Sequence, residues 1–210
     1  MAAVNGDGAE LVRIESPKLL LVEGESEYRF FRFFLENLDT TVPVQIANFK
    51  GIGNLKRVLR ALPVRPEYPT LESIGVTRDA DKSSFRAFQS VCSLLESAGL
   101  GAPDAPMVLT QGKPRVAVYV LPDCSSPGSL ESLCLTAVAC DPAMQCVEQY
   151  VQCLEETARM PHCISDKARA HAFLASRPKP ELRVGEAAEA GHWNLDSQVY
   201  ESLKSFLLAL

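Results

Sequence analysis

The sequence has no uninterrupted apolar run of the ~18 residues needed to cross a bilayer. Nor does a basic segment followed by an apolar core open it, so neither a membrane span nor a secretory leader is expected. Positive charge is in short supply: 21 Lys and Arg stand against 26 Asp and Glu, a formal net charge of −5. Metal-free coating of nucleic acid rests on neutralising phosphates with a broad basic surface, and this balance argues against it. An enzyme that recruits positive charge as bound metal is not excluded. Histidine is scarce, with only His162, His171 and His192, and no GxSxG elbow exists, so a Ser-His-Asp hydrolase is not supported. The seven cysteines contain no CxxC pair, and His162 with Cys163 lacks the spacing of a tetrahedral zinc site. They are expected as structural thiols in a reducing cytoplasm, with Cys134, Cys146 and Cys153 among apolar neighbours. Internal repeats and low-complexity linkers are also missing, so the 210 residues are expected to form one domain.

What is present is an ordinary folded composition, 47% hydrophobic and 22% charged, with strand and helix signals alternating through the first half. Residues 18–22 form a short apolar run ending at Glu23 and Gly24, which reads as a buried strand and turn. Ser26 is a candidate cap for an aromatic-rich helix reaching about residue 38, whose Tyr28, Phe30, Phe31, Phe33 and Phe34 are expected in the core. A second strand is expected over 42–49. Gly51-Ile52-Gly53 then turns into an amphipathic helix with Lys56, Arg57 and Arg60 on its polar flank, ended by Pro63, Pro66 and Pro69 in an extended connector. A third strand, 73–77, delivers Arg78-Asp79-Ala80-Asp81, and a helix over 84–98 closes at Gly99. Strand-like runs follow at 107–110 and 115–121, then helices over 129–138, 143–159, 165–176 and 196–210. This order predicts an α/β fold: a Rossmann-type sheet of about four mainly parallel strands flanked by helices, with a helical C-terminal extension packed on the same core.

In open parallel sheets, ligands bind beyond the carboxyl ends of the strands. Carboxylates collect there: Glu23 follows the first strand and Asp79 with Asp81 follow the third. Glu27, four residues after Glu23, can face the same opening if the helix begins at about residues 24–26. Carboxylates gathered so closely repel one another unless a divalent ion neutralises them, and Mg²⁺ or Mn²⁺ suits oxygen ligands and a phosphate partner. Gly51 and Gly53 offer backbone N–H groups to a phosphate at a helix start. Arg78 and Lys82 flank the Asp pair as weaker phosphate candidates.

The stretch Leu20-Leu21-Val22-Glu23-Gly24-Glu25-Ser26-Glu27, then Lys50-Gly51-Ile52-Gly53-Asn54, then Asp79-Ala80-Asp81 resembles the Toprim domain. That fold is shared by topoisomerases, bacterial primases, recombination mediators and OLD-family nucleases. The resemblance covers about residues 18–121. The segment Gly128-Ser129-Leu130-Glu131, and Gly191-His192-Trp193 near the end, look like a small bacterial family of stand-alone proteins close to the OLD type and without assigned function. The resemblance implies metal-dependent phosphoryl transfer on nucleic acid. It gives Glu23 the role of general acid/base or metal ligand, and gives Asp79 and Asp81 the binding of Mg²⁺. In OLD-type nucleases a second Glu, here Glu27, and further acidic ligands hold a second metal, for which Glu131 is the candidate and Asp123 a weaker one. One or two ions are therefore expected.

No tyrosine-nucleophile domain, zinc-binding segment, polymerase-like segment or Walker A motif accompanies these motifs. Topoisomerase, primase and ATPase activities are thus not expected, and a hydrolytic nuclease needs the fewest missing parts. A partner ATPase or a homodimer is compatible with this set, as is a non-catalytic module that binds metal or nucleotide. A phosphatase of the haloacid-dehalogenase kind fits less well, because Lys82-Ser83 follows the DxD where Thr or Val is usual.

Overall fold

Leu19, Leu20, Leu21 and Val22 are fully buried on both sides of their strand, as an inner strand of a helix-covered parallel sheet requires. They belong to β1 (Lys18–Val22) in a computed structural model that describes residues 13–38, 43–157 and 165–210. The chain continues through α1 (Glu25–Glu36), β2 (Val44–Asn48), α2 (Ile52–Ala61), β3 (Ser73–Asp79), α3 (Ser84–Ser97) and β4 (Arg115–Leu121). Among the described residues there follow α4 (Leu130–Ala137), α5 (Pro142–Thr157), α6 (Asp166–Leu174), α7 (Val184–Glu189) and α8 (Glu201–Ala209). All three strand pairings are parallel, in the spatial order β2-β1-β3-β4. The fold is α/β, with the parallel sheet and flanking helices that the alternation predicts.

Alternate strand residues feed two separate cores. Leu20 and Val22 of β1, with Ala117, Tyr119 and Leu121 of β4, pack under α1, α4, α6, α7 and α8. Leu19, Leu21, Ile74, Val76, Val116, Val118 and Val120 pack under α2 and α3. The chain moves from β1 to β2 over one face, then returns past β1 to β3 and β4 over the other. The gap between the carboxyl ends of β1 and β3 is therefore the topological switch point, where such sheets bind ligands.

Of the five aromatics expected in the core, Phe30, Phe31 and Phe34 are buried, with Phe30 stacked on Phe34 at 5.5 Å between centroids, while Tyr28 and Phe33 are half-buried against its edge. The C-terminal helices dock on this same face. Trp193 is buried, stacks on Phe173 at 5.3 Å and donates from Nε1 to the Val184 carbonyl, so it is a packing residue. Ser73 Oγ donates to the Leu210 carbonyl at 2.5 Å, pinning the last residue against β3.

Several local expectations are corrected. Gly24, not Ser26, is the N-cap of α1: the helix starts at Glu25, and Ser26, its second residue, accepts the Gly185 N–H on Oγ at 3.1 Å. The second strand is shorter than 42–49, and its expected start at Val42 lies outside the described residues. Residues 107–110 form no strand; they cover the open edge of β4 through Met107 N to Val118 O and Thr110 N to Val116 O. The proline connector after α2 is not extended but folds into turns and a 3₁₀ segment, Tyr68–Thr70. The expected 196–210 helix begins as a 3₁₀ turn, Gln198–Tyr200, before α8. Of the thiols placed among apolar neighbours, Cys134 is buried but Cys146 and Cys153 are exposed. His162 and Cys163 lie outside the described residues.

Candidate functional site

Strand alternation divides the acidic residues at the switch point. Asp79 shares the side of β3 that faces α1 and α4, while Arg78 shares the side that faces α2 and α3. On the α1 side, Glu27, Asp79 and Glu131 line a cleft of about 1080 Å³, together with Asp81, Lys82 and residues of α6 and α7. Asp79 Oδ1 accepts the Leu130 N–H at 3.1 Å, so the start of α4 holds one of its oxygens. Glu131 Oε2 accepts a hydrogen bond from Ser129 Oγ at 2.7 Å. Burial pushes the Asp79 carboxyl up to about 8, and the charges of Glu27, Glu131 and Glu23 push the same way. Glu27 is raised as well, by burial first and then by Glu131 and Glu23, against the opposing pull of its own backbone N–H and of Lys167. Three carboxyl groups from β3, α1 and α4 thus crowd one cleft that is short of positive charge.

Glu23 takes the other side. It precedes α1 rather than lying in it, so the i, i+4 relation with Glu27 does not hold, and it does not line the cleft. Its Oε1 accepts the Ile52 N–H at 3.3 Å and its Oε2 pairs with Arg78 Nη1. Arg78 Nη2 also reaches Asp81 Oδ2 at 3.2 Å. Arg78, expected as a flanking phosphate ligand, is thus a 16% exposed counter-ion bridging Glu23 and Asp81. Gly51 and Gly53 do not line the cleft either. Gly51 adopts φ 95° and donates its N–H to the Glu23 carbonyl at 2.8 Å. The anion seat at the start of α2 is therefore filled by the protein's own Glu23 carboxylate. Lys82 is exposed at the cleft rim. Asp123 is committed to its own loop: although partial burial alone raises it, hydrogen bonds from Ser125 and Ser126 hold it below the usual carboxylate range.

The cleft also draws on residues that no motif signalled. Ser165, Asp166, Lys167 and His171 of the α6 region and Arg183 before α7 line it. The only sequence hint was the Ser165-Asp166 helix start. The N-termini of α1, α4 and α6 all open onto this space and favour anions there. Among the described residues, no three His, Cys, Asp or Glu side chains stand in a ready coordination shell.

Fold and site together define a class: an open parallel α/β protein with a carboxylate cleft at its switch point. The chain belongs to the DUF3226 family, described as proteins of unknown function, whose family model matches residues 17–210. Neither the curated proteins nor the solved structures give a match to it. Among the described residues, no helix is long and apolar enough to cross a membrane.

Proposed function

We propose that this protein is a Mg²⁺- or Mn²⁺-dependent nuclease of the Toprim kind, close to the OLD type, hydrolysing phosphodiester bonds of cytoplasmic nucleic acid. The observation that carries the reading is the meeting of Glu27, Asp79 and Glu131 in one open cleft, with Asp79 pushed up to about 8 by burial and its acidic neighbours. A donor set of hard carboxylate oxygens short of cationic partners fits a small divalent ion. Glu27, Asp79 and Glu131 would hold it, with Asp81 beside them at the rim. When bound, one or two such ions supply a water nucleophile at neutral pH and neutralise the charge on the phosphoryl oxygens.

The chain's own groups do the rest. The Leu130 N–H fixes one Asp79 oxygen and leaves the other for the cleft. Lys82 and Lys167 at the walls offer ammonium donors to a phosphate. Glu23, held by Arg78 and the Ile52 N–H, acts at one remove through its field on Asp79 and Glu27.

A second reading, a non-catalytic metal- or nucleotide-binding module, draws support from Arg78, which already neutralises Glu23 and Asp81. Incubation of the pure protein with plasmid, single-stranded DNA and RNA in Mg²⁺ or Mn²⁺ separates the two. The nuclease reading expects cutting that chelator abolishes and that falls at least about a hundredfold in Asp79→Asn. Equal cutting by wild type and Asp79→Asn rejects it. Metal binding without turnover on any of the three substrates favours the second reading.

A further inference from the structure

The net charge of −5 hides a segregation. Residues 50–95 carry eight Lys and Arg against four Asp and Glu, while the rest of the chain carries thirteen against twenty-two. The basic segment includes α2 and α3 up to Leu95, and the two helices pack side by side over the second core. Lys56, Arg57 and Arg60 are exposed on α2, which has no acidic residue. Lys82 and Arg86 are exposed at the start of α3, and no acidic residue follows Asp81 until Glu96. None of these five cations takes part in an ion pair among the described residues.

Between Lys82 and Arg86 stands Phe85, 71% exposed, while Phe88 one turn on is buried in the core. Lys82 itself lines the carboxylate cleft, three residues before Phe85 in the chain. A bare aromatic face flanked by unpaired cations matches an unpaired base with its phosphates on either side. Duplex DNA keeps its bases stacked and offers nothing to such a ring.

We propose that Phe85, with Lys82 and Arg86, forms a base-stacking platform that leads an unpaired nucleic-acid strand into the cleft. The assignment rests on the nuclease reading of the cleft and gives it a substrate class, single-stranded rather than duplex. Lys56, Arg57 and Arg60 extend the cationic surface along α2 for the strand's backbone.

The test is fluorescence anisotropy of the full chain, in EDTA so that no cutting occurs. The probes are a short labelled oligodeoxynucleotide of mixed sequence, its duplex and the matching RNA. Wild type binds the single strands more tightly than the duplex. Phe85→Ala weakens single-strand binding by about tenfold, changes duplex binding less than about twofold and leaves Tm unmoved. Phe85→Trp retains single-strand affinity, and its indole emission is quenched on binding, since the native Trp193 is 2% exposed. Joint replacement of Lys82 and Arg86 by Ala lowers the slope of log K against log salt by about 1.4 on single strands. Wild type that prefers the duplex or binds no strand overturns the proposal, as does single-strand binding by Phe85→Ala equal to wild type. If Asp79→Asn cuts like wild type while Phe85→Ala loses affinity, the nuclease reading falls and the platform stands. If cutting depends on Asp79 while Phe85→Ala binds normally, only the platform falls.

Discussion

Asp79 and Arg78 are neighbours in sequence and opposites in surroundings. One residue of strand alternation puts the arginine where it neutralises Glu23 and Asp81, and puts the carboxyl where burial and the charges of Glu27, Glu131 and Glu23 outweigh the hydrogen bond from Leu130. Native Asp79 keeps its proton to about pH 8, whereas the unfolded chain loses it near the ordinary value of 3.8. Between those values the native state binds more protons than the unfolded state, so stability falls as pH rises. Each pH unit crossed costs at most about 1.4 kcal/mol. Asp79→Asn keeps the acceptor for the Leu130 N–H and carries no such proton. Its Tm is therefore expected to match wild type near pH 4, to exceed it by a margin that grows to pH 8, and to hold steady above. Parallel thermal melts of the two proteins across this range check the expectation. A margin that stays flat with pH contradicts it.

At the scale of elements, legibility in the sequence followed the strength of the local signal. β1 and β4 were readable to the residue because continuous apolar runs bounded by turns leave little choice. Glu23 was legible for the same reason, whereas β3 does not end at 77 but runs through Asp79, so that Asp79 lies in the strand and only Asp81 follows it. The division of these carboxylates between two faces was not legible, because the alternation that sets it needs β3 to run on through Arg78 and Asp79, past the apolar stretch that marks the strand. The close approach of Gly185 to Ser26, 3.1 Å from N to Oγ, was not legible either. The α7 helix, only six residues long, also escaped notice, and with it the reason for that close approach. A Cβ at Gly185 would lie 2.1 Å from the Ser26 carbonyl oxygen, so α7 meets α1 backbone to backbone with no room to spare. Gly185→Ala is expected to cost about 1–3 kcal/mol, roughly 2–12 °C in Tm for a chain of this size. Gly53→Ala, in open space within α2, is expected to stabilise by up to about 1 kcal/mol. Denaturant unfolding of both variants measures the contrast, and equal stabilities would refute it.

For the molecule as a whole, the acidic balance and a nucleic-acid substrate are reconciled by where the charges sit. Cations gather on α2 and at the start of α3, and carboxylates gather in the cleft between β3, α1 and α4. The claim on which the account turns is that those carboxylates hold a divalent ion. Calorimetric titration of metal-free protein with Mn²⁺, at pH 7 and pH 8, tests it most directly. Saturable binding of one or two ions is expected, tighter at pH 8 because Asp79 must lose its proton, and lost in Asp79→Asn and Glu131→Gln. No saturable heat from wild type, or equal binding by Asp79→Asn, contradicts it.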